Sequence, residues 1–222
     1  MEILTLLQKE ILNEFIAVPD NEAFYLTGGT ALSAFYLKHR KSNDLDFFTD
    51  RAEIILPFSF NLEKILKNKG LDIEISRGLH SFVELIVKKG DNSTMIHLAQ
   101  DSPFRFEAAS ETSEFPGIKI DSLTDIASNK LLALFQRATL RDFIDIYVLI
   151  KEKHFTADQL IKLAKEKDPG FDLYWLGVAF ERVNLFSADA PDMLLLTKPC
   201  SLKELTVFFN TWREEISKEL TA

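Results

Sequence analysis

The stretch "TGGTALSAFYLKHRKSNDLDFF", Thr27 to Phe48, places two glycines ahead of a helical pattern and two aspartates inside an apolar run. Alternation along a strand puts Asp44 and Asp46 on one face and Leu45 and Phe47 on the other. A strand with one face in solvent satisfies that pattern. Yet aspartate is a poor strand former, and two like charges side by side repel. A divalent cation is a natural compensator, because carboxylates at i and i+2 on a stiff strand can hold one or two Mg²⁺ ions. Asp-x-Asp alone is common and decides little. Gly28 and Gly29 let the backbone approach a ligand, and the free amides and dipole of a helix start favour phosphate. The plain alternative for Gly-Gly-Thr is a strand-to-helix turn, with Thr30 as N-cap of a helix over Thr30–Lys38. Taken together, strand, Gly-Gly-Thr, helix and Asp-x-Asp strand predict a phosphate cradle and a metal pair at one end of adjacent strands. Phosphoryl and nucleotidyl transfer need that pairing.

Outward from this stretch, residues 2 to 16 carry Ile3, Leu4, Leu7, Ile11, Leu12 and Phe15 at helical spacing. Pro19 ends that pattern, and Phe24 to Leu26 reads as a short strand. Leu45 to Phe48 reads as another. Pro57 to Asn68 reads as a helix closed by Gly70. Strands are expected over Leu71–Ser76, Ser81–Lys88 and Thr94–Ala99, the last two joined by the hairpin signal "KKGDNS". After "EFPGIKI" only helical patterns follow, over 123–138, 140–151, 156–166, 172–183 and 201–219, with 184–200 a loop. The fold class is α+β: a mixed sheet with flanking helices, followed by a helical bundle. The expected domains are 1–118 and 119–222, the second closing a nucleotide cleft.

The residues Gly28, Gly29, Thr30, Arg40, Ser42, Asp44, Asp46, Phe47 and Phe48 appear in an order that resembles the first motif of the nucleotidyltransferase superfamily, the polymerase-β-like fold. The resemblance is to its AbiEii/MenT-like branch, toxins of type IV toxin–antitoxin and abortive-infection systems. It implies that Asp44 and Asp46 hold the metal, Mg²⁺ or Mn²⁺. It implies further that Gly28, Gly29, Thr30, Arg40 and Ser42 bind the nucleotide of an NTP substrate.

In the helical half, Leu123, Ile126, Ala127, Leu131 and Leu134 form an apolar stripe that includes Lys130. That lysine either snorkels to solvent or points into a polar cleft. The next helix, Leu140 to Lys151, is apolar nearly all round, with Arg141, Asp142 and Asp145 as one charged stripe. Asp145 either pairs with Lys130, Arg137 or Arg141 inside the fold or serves catalysis. Lys130, Arg137, Asp142, Asp145 and Tyr147 match a second motif of the same family. By that resemblance Lys130 and Asp145 are catalytic, and Lys130 and Arg137 contact nucleotide.

Related enzymes use a third carboxylate on a neighbouring strand. In "TMIHLAQD" that position is His97: a metal ligand, a hydrogen bonder beside the metal, or a sign of weakened two-metal chemistry. Glu74, Glu84 and Asp101 are the available substitutes. The run Lys38–Lys41 is the densest basic stretch, either a contact for phosphate or RNA or a solvated helix end. Cys200 has no His or Asp context that would make it a nucleophile.

Composition bounds the partners. The net charge of −8 and pI near 5.1 give no general attraction to a nucleic-acid backbone, so any RNA contact needs a local patch. One cysteine excludes an internal disulfide and fits a reducing compartment. The first residues lack a signal-peptide pattern, and no run is long enough to span a bilayer. A cytoplasmic protein is expected. The 19 Phe residues, scattered along the chain, read as bulky core filling. The family resemblance implies transfer of NMP to the 3′ end of tRNA and a cognate antitoxin partner. Nucleotidylation of a protein or small molecule, and a non-catalytic nucleotide- or partner-binding protein, are the alternatives.

Overall fold

A computed structural model describes residues 2–221. The chain divides into two compact units, Met1–Leu123 and Thr124–Ala222.

The first unit is built on a seven-stranded mixed sheet of order β3-β4-β5-β2-β1-β7-β6. Its strands are β1 (Tyr25–Thr27), β2 (Asp44–Thr49), β3 (Asp72–Leu79), β4 (Phe82–Lys89), β5 (Asn92–Gln100), β6 (Ser110–Glu111) and β7 (Lys119–Ile120). β2 runs antiparallel to β1 and parallel to β5. The "KKGDNS" hairpin forms with Lys89 opposite Asn92, and Gly90 supplies the positive φ of 58° that the two-residue turn requires. The pairs β6 and β7 lie where only an unstructured boundary is legible in the sequence, because two residues are too few to show alternation.

Helices α1 (Leu6–Phe15) and α3 (Ile55–Asn68) cover one face of this sheet. Leu45 and Phe47 of β2, Val83, Leu85 and Val87 of β4, and Ile96 and Leu98 of β5 are all fully buried on it. Phe47 stacks on Phe15 at 3.8 Å between ring centroids, and Phe15, Phe24 and Phe58 complete an aromatic cluster. These four phenylalanines fill the core, whereas Phe60 and Phe104 are exposed. The opposite pleat of β2 then has to present Asp44 and Asp46.

The helix after β1 differs from expectation. It starts at Gly28 as α2 (Gly28–Ala31), with Thr27 rather than Thr30 in the N-cap position. From Leu32 to Leu37 it widens into a π-helical stretch. Lys38 N–H reaches the Ser33 carbonyl at 2.8 Å, and Lys38 ends the helix at φ 52°. Thr30 lies inside the first turn, where its hydroxyl donates to the Asp44 carbonyl.

The second unit is helical: α4 (Leu123–Arg137), α5 (Leu140–Lys151), α6 (Ala157–Lys167), α7 (Leu173–Phe180), α8 (Pro191–Leu194) and α9 (Leu202–Thr221). The tract 184–200 is thus not all loop; Pro191 at the first turn starts α8. Phe143, Phe180, Phe209 and Trp212 form its aromatic core. Among the described residues, no helix is long and apolar enough to cross a membrane.

Candidate active site

The entry to β2 is held by three side chains from three different elements. Gln8 of α1, fully buried, completes a capping box with Thr5 and donates its amide to the Ser42 carbonyl at 2.8 Å. Thr94 of β5 donates to the Asn43 carbonyl, and Thr30 to the Asp44 carbonyl. Three consecutive backbone acceptors are therefore satisfied from outside the strand, which fixes the register of the acidic pair. Asp44 and Asp46 both lie half-buried on the face away from the aromatic cluster.

The two glycines are in direct contact with this machinery. Gly28 has φ 71°, and a Cβ there would fall 2.1 Å from Asp46 Oδ2. At Gly29 a Cβ would fall 2.7 Å from the Arg40 guanidinium and 2.9 Å from Ser42 Oγ. Only glycine leaves room at both places. Gly28→Ala should therefore cost about 1–3 kcal/mol of stability from backbone strain alone, and it also displaces the Asp46 carboxylate. Thermal melting checks the first effect and Mn²⁺ titration the second.

Arg40 is the largest fully buried side chain, 1% exposed, and donates to the Lys41 carbonyl at 3.1 Å. Its guanidinium underlies Gly29. His39 is buried as well. Of the basic run only Lys38 and Lys41 face solvent, so it is not a continuous basic surface. Thr27, ahead of the glycines, donates to Asp121 at 2.6 Å, and Arg105 pairs with Asp121 while lying 4.0 Å over the Tyr25 ring. This network was not legible in the sequence, since Thr27 and Asp121 lie 94 residues apart.

His97 lies opposite Asp46 in the parallel β2–β5 pairing, and Glu84 lies opposite His97 in the β4–β5 pairing. His97 Nδ1 is 2.8 Å from Asp46 Oδ1, and Nε2 is 3.2 Å from Glu84 Oε2. An imidazolium, which donates from each ring nitrogen, satisfies two ionised carboxylates at once. The Asp46 hydrogen bond accordingly raises the His97 pKa above its ordinary value against the opposing effect of burial, with Asp46, Asp44 and Glu84 charges adding to it. Of the three substitutes for a third carboxylate, Glu84 is the one joined to Asp46 through His97. Glu74 is exposed on β3, and Asp101 is bonded by Tyr25.

Among the described residues, no group of three or more His, Cys, Asp or Glu side chains is arranged to hold a metal ion. The available donors are the Asp44/Asp46 pair. Mg²⁺ is held by one or two carboxylates together with substrate phosphates, so the pair is a sufficient protein contribution.

In the helical unit, Lys130 does not snorkel. It is buried, and its Nζ lies 2.8 Å from Asp145 Oδ2, itself fully buried. Among the pairings open to Asp145, the fold forms that with Lys130. Arg137 is half-exposed and grips Asp142 with two bonds, Nε to Oδ2 at 3.0 Å and Nη2 to Oδ1 at 2.9 Å. Thr139 adds its hydroxyl at 2.6 Å and its amide at 3.2 Å. Burial pushes the Asp142 carboxyl up, but the Arg137 bonds, the Lys130 charge and the Thr139 hydroxyl outweigh it and leave the pKa below its ordinary value. A depressed folded-state pKa contributes stability above the unfolded value of about 4, lost as pH falls through the folded value. Urea midpoints should thus drop more steeply below about pH 4 for the wild type than for Asp142→Asn; parallel curves would contradict this. Cys200 is half-buried, and burial, followed by the Glu204 charge, pushes its thiol up to about 11, away from nucleophilic use.

A mixed sheet carrying paired aspartates beside a glycine pair, joined to a helical unit, defines a nucleotidyltransferase fold. The sequence model of the "nucleotidyl transferase AbiEii toxin, type IV TA system" family matches residues 10–194, and the chain belongs to that family. An uncharacterized protein of Aquifex aeolicus (strain VF5) is 31% identical over 172 residues, 74% of this chain and 76% of that protein. The crystal structure of JHP933 from Helicobacter pylori is 25% identical with a TM-score of 0.57, covering 97% of this chain and 90% of that one. The nucleotidyltransferase toxin MenT4 from Mycobacterium tuberculosis H37Rv shares the fold, with a TM-score of 0.55 at 16% identity, over 95% of this chain and 82% of that one.

Proposed function

We propose that the protein binds an NTP with Mg²⁺ and transfers NMP to an acceptor hydroxyl, releasing pyrophosphate. The observation that supports this reading is the close approach of Gly28 to Asp46, which brings the glycine pair and the acidic pair together. The acceptor oxygen bonds to the α-phosphorus as the bond to the β-phosphate bridge breaks, and the acceptor proton passes to water. A bound cation would supply Lewis-acid stabilisation of phosphate charge. Asp44 and Asp46 would hold it. Gly28 and Gly29 admit the β- and γ-phosphates close to the backbone, with Thr30 and Ser42 holding that wall and the buried Arg40 biasing it toward anions. Lys130 neutralises phosphate charge, Asp145 fixes Lys130, and Arg137 offers its exposed edge to the nucleotide.

By family membership the favoured acceptor is the 3′ end of tRNA, in the cytoplasm, with an antitoxin protein as cognate partner. The charge of −8 requires a local patch for RNA, and the exposed Lys38 and Lys41 beside the motif are its first members. Histidine at the third-acid position is the observation that favours a binding protein without transfer.

One assay separates these. The protein is incubated with labelled NTPs, Mg²⁺, total tRNA and cell extract, beside Asp44→Ala and Lys130→Ala. Label in tRNA that both variants abolish supports the proposal. Label in protein or small molecules assigns a different acceptor. NTP binding with no transfer assigns a binding protein.

A further inference from the structure

The acidic face of the sheet carries a hydrogen-bonded row of which the transfer chemistry above uses only Asp46. Asp46 on β2, His97 on β5 and Glu84 on β4 are directly opposite one another across three adjacent strands. The row extends to a fourth. The β3–β4 register shifts between Ile75 and Arg77, so Ser76 is the extra residue of a bulge. Bulges re-aim side chains. Here the Ser76 hydroxyl lies 2.5 Å from Glu84 Oε1, leaving Glu84 Oε2 for His97 at 3.2 Å. His97 in turn takes Asp46 Oδ1 at 2.8 Å. The other Asp46 oxygen, Oδ2, lies against Gly28. Each side chain in the row has one oxygen or nitrogen turned to the next, and His97 holds one oxygen of the Asp46 carboxylate while the other faces Gly28.

We propose that Glu84 and His97 are positioning residues for Asp46, holding its carboxylate plane in the orientation in which it takes a divalent cation. Partners outside the ligand set commonly fix ligand orientation in this way, and their loss costs about 10–100-fold in metal affinity. His97 acts on the cation only through Asp46, and Glu84 only through His97. The sheet thereby builds support at the place where related enzymes carry a third carboxylate. Because this rests on the metal-dependent assignment above, the test must separate the two.

The test is Mn²⁺ binding to the full-length protein, measured by the loss of the free-ion electron paramagnetic resonance signal, with no nucleotide present. The panel is Asp46→Ala, His97→Ala, His97→Asn, Glu84→Ala and the His97→Ala/Glu84→Ala double variant, each checked for native circular dichroism. Asp46→Ala should abolish binding. His97→Ala should weaken it about 10–100-fold. His97→Asn, whose amide can replace the Nδ1 donor, should recover most of that loss. Glu84→Ala should weaken binding less, and the double variant should match His97→Ala, because a relay has no separate Glu84 contribution once the ring is gone. Equal binding by wild type and His97→Ala, or multiplying losses in the double variant, would overturn the relay while leaving the metal site intact. Unchanged binding by Asp46→Ala would instead overturn the metal assignment itself. Should His97→Ala fail to fold, His97→Asn with and without Glu84→Ala carries the same comparison.

Discussion

Asp44→Asn and Asp46→Asn should each lower NMP transfer by on the order of 10²–10³-fold while leaving the protein folded. The separation of activity from stability is the point of this experiment. Thr30 bonds the Asp44 backbone carbonyl, which the substitution keeps. Leu45 and Phe47 retain the aromatic face that anchors β2. What changes is charge on the opposite pleat, where the two carboxylates lie side by side. Asp44→Asn should therefore keep a cooperative melting transition. Asp46→Asn also alters the hydrogen bond to His97, so its melting temperature should be the lower of the two. Loss of activity accompanied by unfolding in both variants would make the pair structural.

The second large effect belongs to Lys130 and Asp145. Their side chains are 9% and 0% exposed and 2.8 Å apart. Removing one partner leaves a buried charge uncompensated, which costs about 3–5 kcal/mol. Asp145→Ala should show that loss in urea denaturation. Replacing both, as Lys130→Met with Asp145→Leu, removes both charges and should recover most of it, because buried ion pairs are often no better than apolar residues of similar volume. The double variant is then the instrument for catalysis. A stable double variant that transfers no nucleotide assigns Lys130 to phosphate; one that is both stable and active assigns the pair to the fold alone.

How much of this was readable in advance follows from the range of each interaction. Alternation in Asp44–Phe47 is local, and it gave both the core face and the acidic face of β2 before any partner strand was known. The glycines were legible as a close approach, but not the atom approached, since Asp46 Oδ2 reaches Gly28 across the β1–β2 pairing. Thr30 followed by a helical pattern read as a cap; the helix instead begins at Gly28, and the Thr30 hydroxyl donates to a carbonyl fourteen residues on. The densest basic run lost half its members to burial, because Arg40 supports Gly29 from below. Glu84 could not be ranked above Glu74 or Asp101 without the β4–β5 register and the bulge at Ser76. In the helices, the stripe containing Lys130 was periodic and plain, while the pairing of Asp145 with Lys130 among its three cationic candidates was set only by packing.

The most direct measurement of the central claim follows the two ends of the triphosphate separately. The protein is incubated with acceptor extract and Mg²⁺, once with NTP labelled at the α-phosphorus and once with NTP labelled at the γ-phosphorus. Nucleotidyl transfer predicts that α-label enters the acceptor, that γ-label leaves as pyrophosphate, and that Asp46→Asn stops both. Label from the γ-position in the acceptor, or α-label transfer that Asp46→Asn leaves unchanged, would contradict it.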